Sequence, residues 1–269
     1  MPVSTTTSFD VLRPAPTVSP LTHLNDHPAR HNLIRASNKP YLGPQLHFNP
    51  DKLAQQLRLF QQLLPRVHPH FAVKANPATP LLQQLQRLGV DFEIASDGEL
   101  QQLEGLGVTP AKVVYSNPIK SAESIQRAYR LGVRWFAFDC QEELDKLHRY
   151  APNGHYELRI ALPASPAEES TAVWPLLGKF GLPMSDLPAL LAYAAKHALP
   201  VQGVTFHVGS QCLQPHAWQV AIRSSKAVLE EMRLQGLAPT LLNIGGGLPI
   251  DYRAACANPN DDAISYRQT

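Results

Sequence analysis

Apolar and polar positions along this chain alternate between two periods, and the alternation sets its organisation. From Asn49 onward, Leu53, Leu57, Leu59, Phe60 and the pair Leu63-Leu64 recur at helical spacing, with Asn49 placed to cap and Pro50 at the first helical position. After Pro80 the residues Leu81, Leu82, Leu85 and Leu88 repeat the pattern, and Gly89 closes it. Between these helices lie short apolar runs of the kind that form buried strands. The triplets Leu88-Gly89-Val90, Leu106-Gly107-Val108 and Leu131-Gly132-Val133 each read as a helix end, a glycine cap and entry to the next strand, about 20 residues apart as a β-plus-α unit requires. The pattern predicts strands over 70–74, 91–96, 112–117, 135–139, 156–162, 203–209 and 241–246, with helices between nearly all of them.

Such a row folds as α/β with a parallel sheet, either closed as a barrel or open and doubly wound. Periodicity does not separate the two. The polar residues favour the barrel, because Lys74, Glu93, Asn117, Asp139, Arg159, His207 and the run Gly245 to Gly247 all fall in or just after the second half of a strand. In a barrel those ends converge on one face. Seven strands are counted, and residues 248–269 add no convincing eighth. Residues 1–40 carry Pro14, Pro16, Pro20 and Pro28 and read as a loose arm; 41–252 form the barrel, and 253–269 an irregular tail.

Composition narrows the function classes. The chain has 269 residues, 44% of them hydrophobic, and a formal net charge of +2, without a basic stripe interleaved with aromatics. Nucleic acid is therefore not an expected partner. No window approaches the length of a membrane span, and no uninterrupted apolar leader opens the chain, so a cytoplasmic, membrane-free protein is expected. Cys140, Cys212 and Cys256 are odd in number and lack C-x-x-C spacing, which argues against disulfides and structural zinc.

The run Phe71-Ala-Val-Lys74-Ala-Asn-Pro77 stops abruptly at a lysine. An amine desolvated at a strand's carboxyl end suits nucleophilic chemistry with an aldehyde cofactor such as pyridoxal phosphate, although a lysine that snorkels to solvent reads the same way. His207, followed by Gly209-Ser210-Gln211, can stack its ring on a planar cofactor while the serine and nearby amides contact a phosphate. A satisfied core histidine is the plainer alternative. Asn243-Ile-Gly245-Gly246-Gly247 offers unhindered N–H groups to a phosphate, although a flexible turn looks alike, and the spacing is not that of a dinucleotide fingerprint. Glu93 points toward the site, whereas Glu99 suits a helix start. Arg159, flanked by apolar residues, needs an anionic partner. Lys179 sits in a loop and reads as exposed.

Taken together, the segments Phe71 to Asn76, Phe92-Glu93-Ile-Ala-Ser96-Asp-Gly-Glu99, Val114-Tyr-Ser-Asn117-Pro-Ile-Lys120, Phe136 to Asp139, Leu158-Arg159-Ile, Trp174 to Gly181, Phe206 to Gln211 and Asn243 to Gly247 resemble, in order, the pyridoxal-phosphate-dependent ornithine, lysine and diaminopimelate decarboxylases of the alanine-racemase-type barrel fold. The Trp174 to Gly181 stretch is closest to the ornithine branch. The resemblance covers about residues 41–252 and implies a TIM-like (β/α)8-type barrel that binds pyridoxal 5'-phosphate and acts on a basic amino acid in polyamine biosynthesis. It implies that Lys74 bonds the cofactor's aldehyde, that His207 stacks on its ring, and that Ser210 and Gly245, Gly246 and Gly247 hold the phosphate. Arg159 would lie near the phenolic oxygen, Glu93 stands where the family usually has aspartate, and Lys179 would look across a dimer interface.

The family also carries a Glu-Pro-Gly-Arg segment and a β-rich second domain with a cysteine and an aspartate that act on the substrate. The 269 residues match neither, nor the last barrel strand. Three readings follow: the N-terminal barrel part of a basic amino-acid decarboxylase, a catalytically inactive pyridoxal-phosphate-binding or decarboxylase-interacting protein, or a truncated remnant. A homodimer and a heterodimer with a full-length decarboxylase both fit the family, and no metal is expected.

Overall fold

The computed structural model describes residues 48–162, the strand at 172–174 and residues 179–249. The arm expected over 1–40 and the tail over 253–269 lie outside the described residues. The chain enters the fold through α1 (Pro50–Leu63), capped by Asn49 as its sequence predicts. The Asn49 Oδ1 accepts the Asp51 and Lys52 N–H groups at 2.9 and 3.2 Å.

Seven strands then form one parallel sheet: β1 (His70–Ala72), β2 (Asp91–Ile94), β3 (Val113–Tyr115), β4 (Trp135–Phe138), β5 (His155–Arg159), β7 (Val201–Thr205) and β9 (Leu241–Asn243), hydrogen-bonded in that order. Helices α2 (Thr79–Arg87), α3 (Asp97–Gly105), α4 (Ala122–Leu131), α5 (Gln141–Tyr150), α6 (Leu187–Lys196) and α7 (Pro215–Leu234) alternate with them. Strand order follows chain order without reversal, so right-handed crossovers place every helix on one side and curl the sheet into a TIM-like barrel that lacks the last strand among the described residues. The doubly wound alternative needs a reversal that this order does not contain.

Parallel register puts paired residues on the same face. One face carries Phe71, Phe92, Ile94, Val113, Tyr115, Phe136, Phe138, Tyr156, Leu158, Val201 and Val204, nearly all fully buried against Leu82, Leu103, Ile125, Leu144, Leu147 and Leu191 of the helices. The other face, the lumen, carries Ala72, Glu93, Ala137, Glu157, Arg159, Gly203, Thr205 and Asn243. Period-two alternation thus divides every strand between core and site.

The three Leu-Gly-Val triplets behave as their spacing predicts. Gly89, Gly107 and Gly132 take φ of 77°, 70° and 114°, and the following valine N–H returns to the carbonyl five residues back at 3.0 to 3.1 Å, the closure of a Schellman motif. The chain then turns into β2, toward β3 and into β4.

Most of the predicted strands run beyond the observed ones. Val73–Ala75 is a 3-10 turn, not the end of a 70–74 strand, and β2, β3, β4 and β5 stop at Ile94, Tyr115, Phe138 and Arg159. The apolar pattern outlasts the ladder because residues past it, such as Val73 and Ile160, remain buried under the helices. Of the predicted 203–209 strand only residues up to Thr205 belong to β7, and beyond it β8 (Ser210–Cys212) pairs antiparallel with β6 (Ala172–Trp174) in a ribbon the sequence did not suggest.

Candidate active site

The predicted site residues gather at the carboxyl ends of the strands, on the loops that leave the lumen face. Lys74 lies in the middle of the 3-10 turn just past β1 and is exposed. The desolvation expected of it is therefore not supplied by the described residues. That expectation treated the apolar run as strand to its end; the 3-10 turn instead swings the lysine out of the buried ladder.

Arg159 ends β5 half-buried. Burial lowers its pKa, opposed by the carboxylates of Asp139, Glu93 and Glu157. The guanidinium lies over the Phe180 ring at 4.9 Å and makes no ion pair among the described residues. A charge held in a lumen without a bonded anion is poised to receive one. Lys179 is exposed, with its Nζ 5.2 Å from the same ring. Asp139 anchors this loop by accepting the Gly181 N–H at 2.9 Å.

His207 follows β7. Burial, then the positive charges of Arg159 and Lys74, pull its imidazole down to about 4, so at neutral pH the ring is uncharged. A neutral, half-buried ring offers a flat apolar surface. The glycine turn packs directly upon this segment: a Cβ on Gly245 (φ 65°) would lie 2.1 Å from the Phe206 carbonyl oxygen, and one on Gly247 (φ 99°) 2.1 Å from that of Gly209. A Cβ at Gly246 would meet the His207 ring at 3.6 Å. Only glycine permits the approach at 245 and 247, whereas the contact at 246 is an ordinary one. The Gly247 carbonyl then accepts the Cys212 N–H at 2.9 Å, which fastens β8, and with it the exposed Ser210, beside the turn.

Glu93 sits on β2 in register with Ala72 and acts electrostatically on Arg159 and Glu157. Glu99 belongs to the helix start: its Oε2 accepts the Ala95 N–H at 2.7 Å while Ser96 Oγ accepts that of Glu99 at 3.3 Å.

Two neighbours were given no role by the sequence reading. Glu157 is fully buried in the lumen, two residues before Arg159 and therefore on the same face, a relation that period-two alternation could have exposed. Lys120 is 4% exposed and donates to the carbonyls of Asn117 and Ala137 at 2.8 and 2.5 Å while pairing with Glu143 Oε1 at 2.9 Å. It ties the loop after β3 to β4 and to the start of α5. Among the described residues no group of His, Cys, Asp or Glu could hold a metal ion.

A lumen with a guanidinium that makes no ion pair among the described residues, a neutral imidazole and a glycine turn at the strand ends defines a barrel suited to an anionic, planar group. Residues 50–265 match the model of the pyridoxal-dependent decarboxylases, pyridoxal binding domain, and the chain belongs to that family. It is similar to ornithine decarboxylase of Schizosaccharomyces pombe (39% identical over 197 residues, 73% of this chain and 44% of the relative). It is also similar to lysine/ornithine decarboxylase of Selenomonas ruminantium (35%, covering 77% and 51%) and to antizyme inhibitor 2 of Xenopus laevis (37%, covering 74% and 42%). Among solved structures, the arginine decarboxylase of Paramecium bursaria Chlorella virus bound to agmatine superposes with a TM-score of 0.71 at 35% identity, over 76% of this chain and 54% of that one. The chain spans about half the length of the curated relatives it matches.

The cofactor of this family is pyridoxal phosphate, and the residues present fit it. The glycine turn, whose backbone N–H groups carry no side-chain bulk, suits a phosphate, and the guanidinium without an ion pair among the described residues and the uncharged ring suit the anionic and planar parts of the group.

Proposed function

We propose that this chain is the cofactor-binding part of a decarboxylase acting on a basic amino acid, ornithine foremost, and that the strand-end face of its barrel holds pyridoxal phosphate. The observation that carries this reading is the convergence of Lys74, Arg159, His207 and the Gly245–Gly247 turn on one face. Lys74 would hold the cofactor's aldehyde carbon. His207 would support the ring by stacking, and its depressed pKa keeps it from adding a positive charge there at pH 7. Gly246, Gly247 and Ser210 would bind the phosphate, and Arg159, steadied on Phe180, would compensate an anionic oxygen. Glu93 would set the field around that arginine. When bound, the cofactor supplies an electron sink for the pair left behind by departing CO₂.

Phosphate recognition gives the test. Titrating the chain with pyridoxal phosphate and with pyridoxal, which lacks the phosphate, should show affinity at least about tenfold higher for the former, since charged hydrogen bonds contribute about 1.5–3 kcal/mol each. Equal affinities would overturn the assignment of the glycine turn. The 269 residues contain no Glu-Pro-Gly-Arg run, so the chain by itself should release little or no CO₂ from ornithine or lysine. Steady release would contradict that expectation.

A second reading is a catalytically inactive protein that pairs with a full-length decarboxylase; similarity to a relative named as an antizyme inhibitor, not as a decarboxylase, supports it. Mixing the two purified chains and measuring mass in solution separates the readings: a heterodimer supports the second, and its absence the first. The proposed compartment is the cytoplasm, in keeping with free thiols at Cys140 and Cys212. No helix among the described residues is long and apolar enough to cross a membrane.

A further inference from the structure

Glu157 has no place in the cofactor chemistry above, yet it is completely buried at the centre of β5. Its flanking partners in register are Ala137 on β4 and Gly203 on β7, where a Cβ would come within 3.0 Å of the Glu157 Cβ. These small neighbours leave the acid room, and the polar side chain bonded to it comes from one strand further, on β9. Asn243 Nδ2 donates to both carboxyl oxygens of Glu157, at 3.3 and 3.2 Å. The other end of the same amide, Asn243 Oδ1, accepts the N–H of Gly245 at 2.9 Å.

An asparagine amide is donor at one end and acceptor at the other, so whichever group it meets on one side dictates what it presents on the other. A carboxyl group that takes the NH₂ end obliges the oxygen to face Gly245. With no acceptor at position 157, the NH₂ is left without its partner, and the amide loses the bond that holds its oxygen toward Gly245.

We infer that Glu157 is a positioning residue: acting through Asn243, it fixes the Gly245 N–H and so holds the glycine turn in the conformation that packs on Phe206, His207 and Gly209. The turn's geometry makes this consequential, because it seats directly on the 206–209 segment: a Cβ at Gly245 or Gly247 would meet the Phe206 or Gly209 carbonyl oxygen at 2.1 Å. It also divides the labour among the three glycines. The Gly245 amide is taken up inside the fold, which leaves Gly246 and Gly247 to face a ligand. The role of the turn as phosphate holder is the reading proposed above, and the functional weight of Glu157 rests on it.

The test uses the full 269-residue chain without ligand and reads backbone amide exchange by NMR. In E157L, protection of the Gly245 amide should fall about tenfold, the factor lost with one hydrogen bond of about 1.4 kcal/mol, while amides in α4 keep theirs. E157Q retains a side-chain oxygen for Asn243 and should restore protection to within about threefold of wild type, a rescue that general loss of packing does not produce. Unchanged Gly245 protection in a folded E157L, or equal loss in E157Q and E157L, would overturn the inference. The wild-type chain provides a check that needs no variant: the Asn243 side-chain NH₂ should exchange slowly, and rapid exchange there would overturn it too. Pyridoxal phosphate affinity is measured separately on the same variants. Lost protection with unchanged affinity would sustain the positioning role and reject the phosphate reading; unchanged protection would reject the positioning role whatever the affinity.

Discussion

His207 and Glu157 are shifted in opposite senses by the same lumen. Burial disfavours the charged form of each, so the imidazole falls to about 4 and the carboxyl rises to about 7. For Glu157 the Asn243 bond, Lys120 and Arg159 oppose burial, while Glu93 adds to it. Because its folded-state value lies above the ordinary 4.5, the protonated acid is the favoured form, and its stabilising contribution is complete below about pH 4.5 and lost as pH rises through about 7. The loss amounts to roughly 3 kcal/mol. His207 runs the other way, its contribution present above about pH 6.5 and lost toward 4. Urea unfolding of wild type and E157Q at pH 5 and pH 8 isolates the acid: the wild type should lose stability relative to E157Q at the higher pH, and parallel curves would disprove the shift. H207A should weaken pyridoxal phosphate binding about tenfold, the scale of one aromatic stacking contact, read by titration at pH 7.5.

Among the elements, the turns bear the sharpest constraints. Gly245→Ala forces a Cβ to 2.1 Å from the Phe206 carbonyl at a positive φ, whereas Gly236→Ala at φ 83° meets nothing within 4 Å. Gly236→Ala should cost about 1 kcal/mol and leave cofactor binding intact, and Gly245→Ala should cost more than 2 kcal/mol and abolish it. Thermal unfolding and titration of both variants check the pair. The Leu-Gly-Val triplets were legible in the sequence because a Schellman motif is local: helix end, left-handed glycine and apolar entry residue all lie within six positions. Asn49 and Glu99 were legible for the same reason. Strand ends were not, since Val73 and Ile160 stay buried past the last ladder bond and hydrophobicity cannot register the end of hydrogen bonding. The β6–β8 ribbon pairs residues about 40 apart and left no local trace. Nor could the Glu157–Asn243 contact be read, because its partners are 86 residues apart and meet only after β7 is placed between them.

Across the whole molecule, a row of βα units laid down in chain order supplies one apolar face for the helices and one polar face for a ligand. Holding the strand-end face together falls partly to Lys120, whose ion pair with Glu143 is buried and also shared with Lys146 at 2.6 Å. K120M should destabilise the chain by about 3 kcal/mol, because Glu143 loses a buried partner and two carbonyls lose their donor; denaturant unfolding with no measurable change would show the pair to be idle. The barrel's central claim, that this face binds pyridoxal phosphate through Lys74, is tested most directly by adding the cofactor, recording the visible band, reducing with borohydride and mapping the modified lysine by mass spectrometry. Label on Lys74 alone, absent from K74A, is the expected result. No label, or label scattered over many lysines, would contradict it.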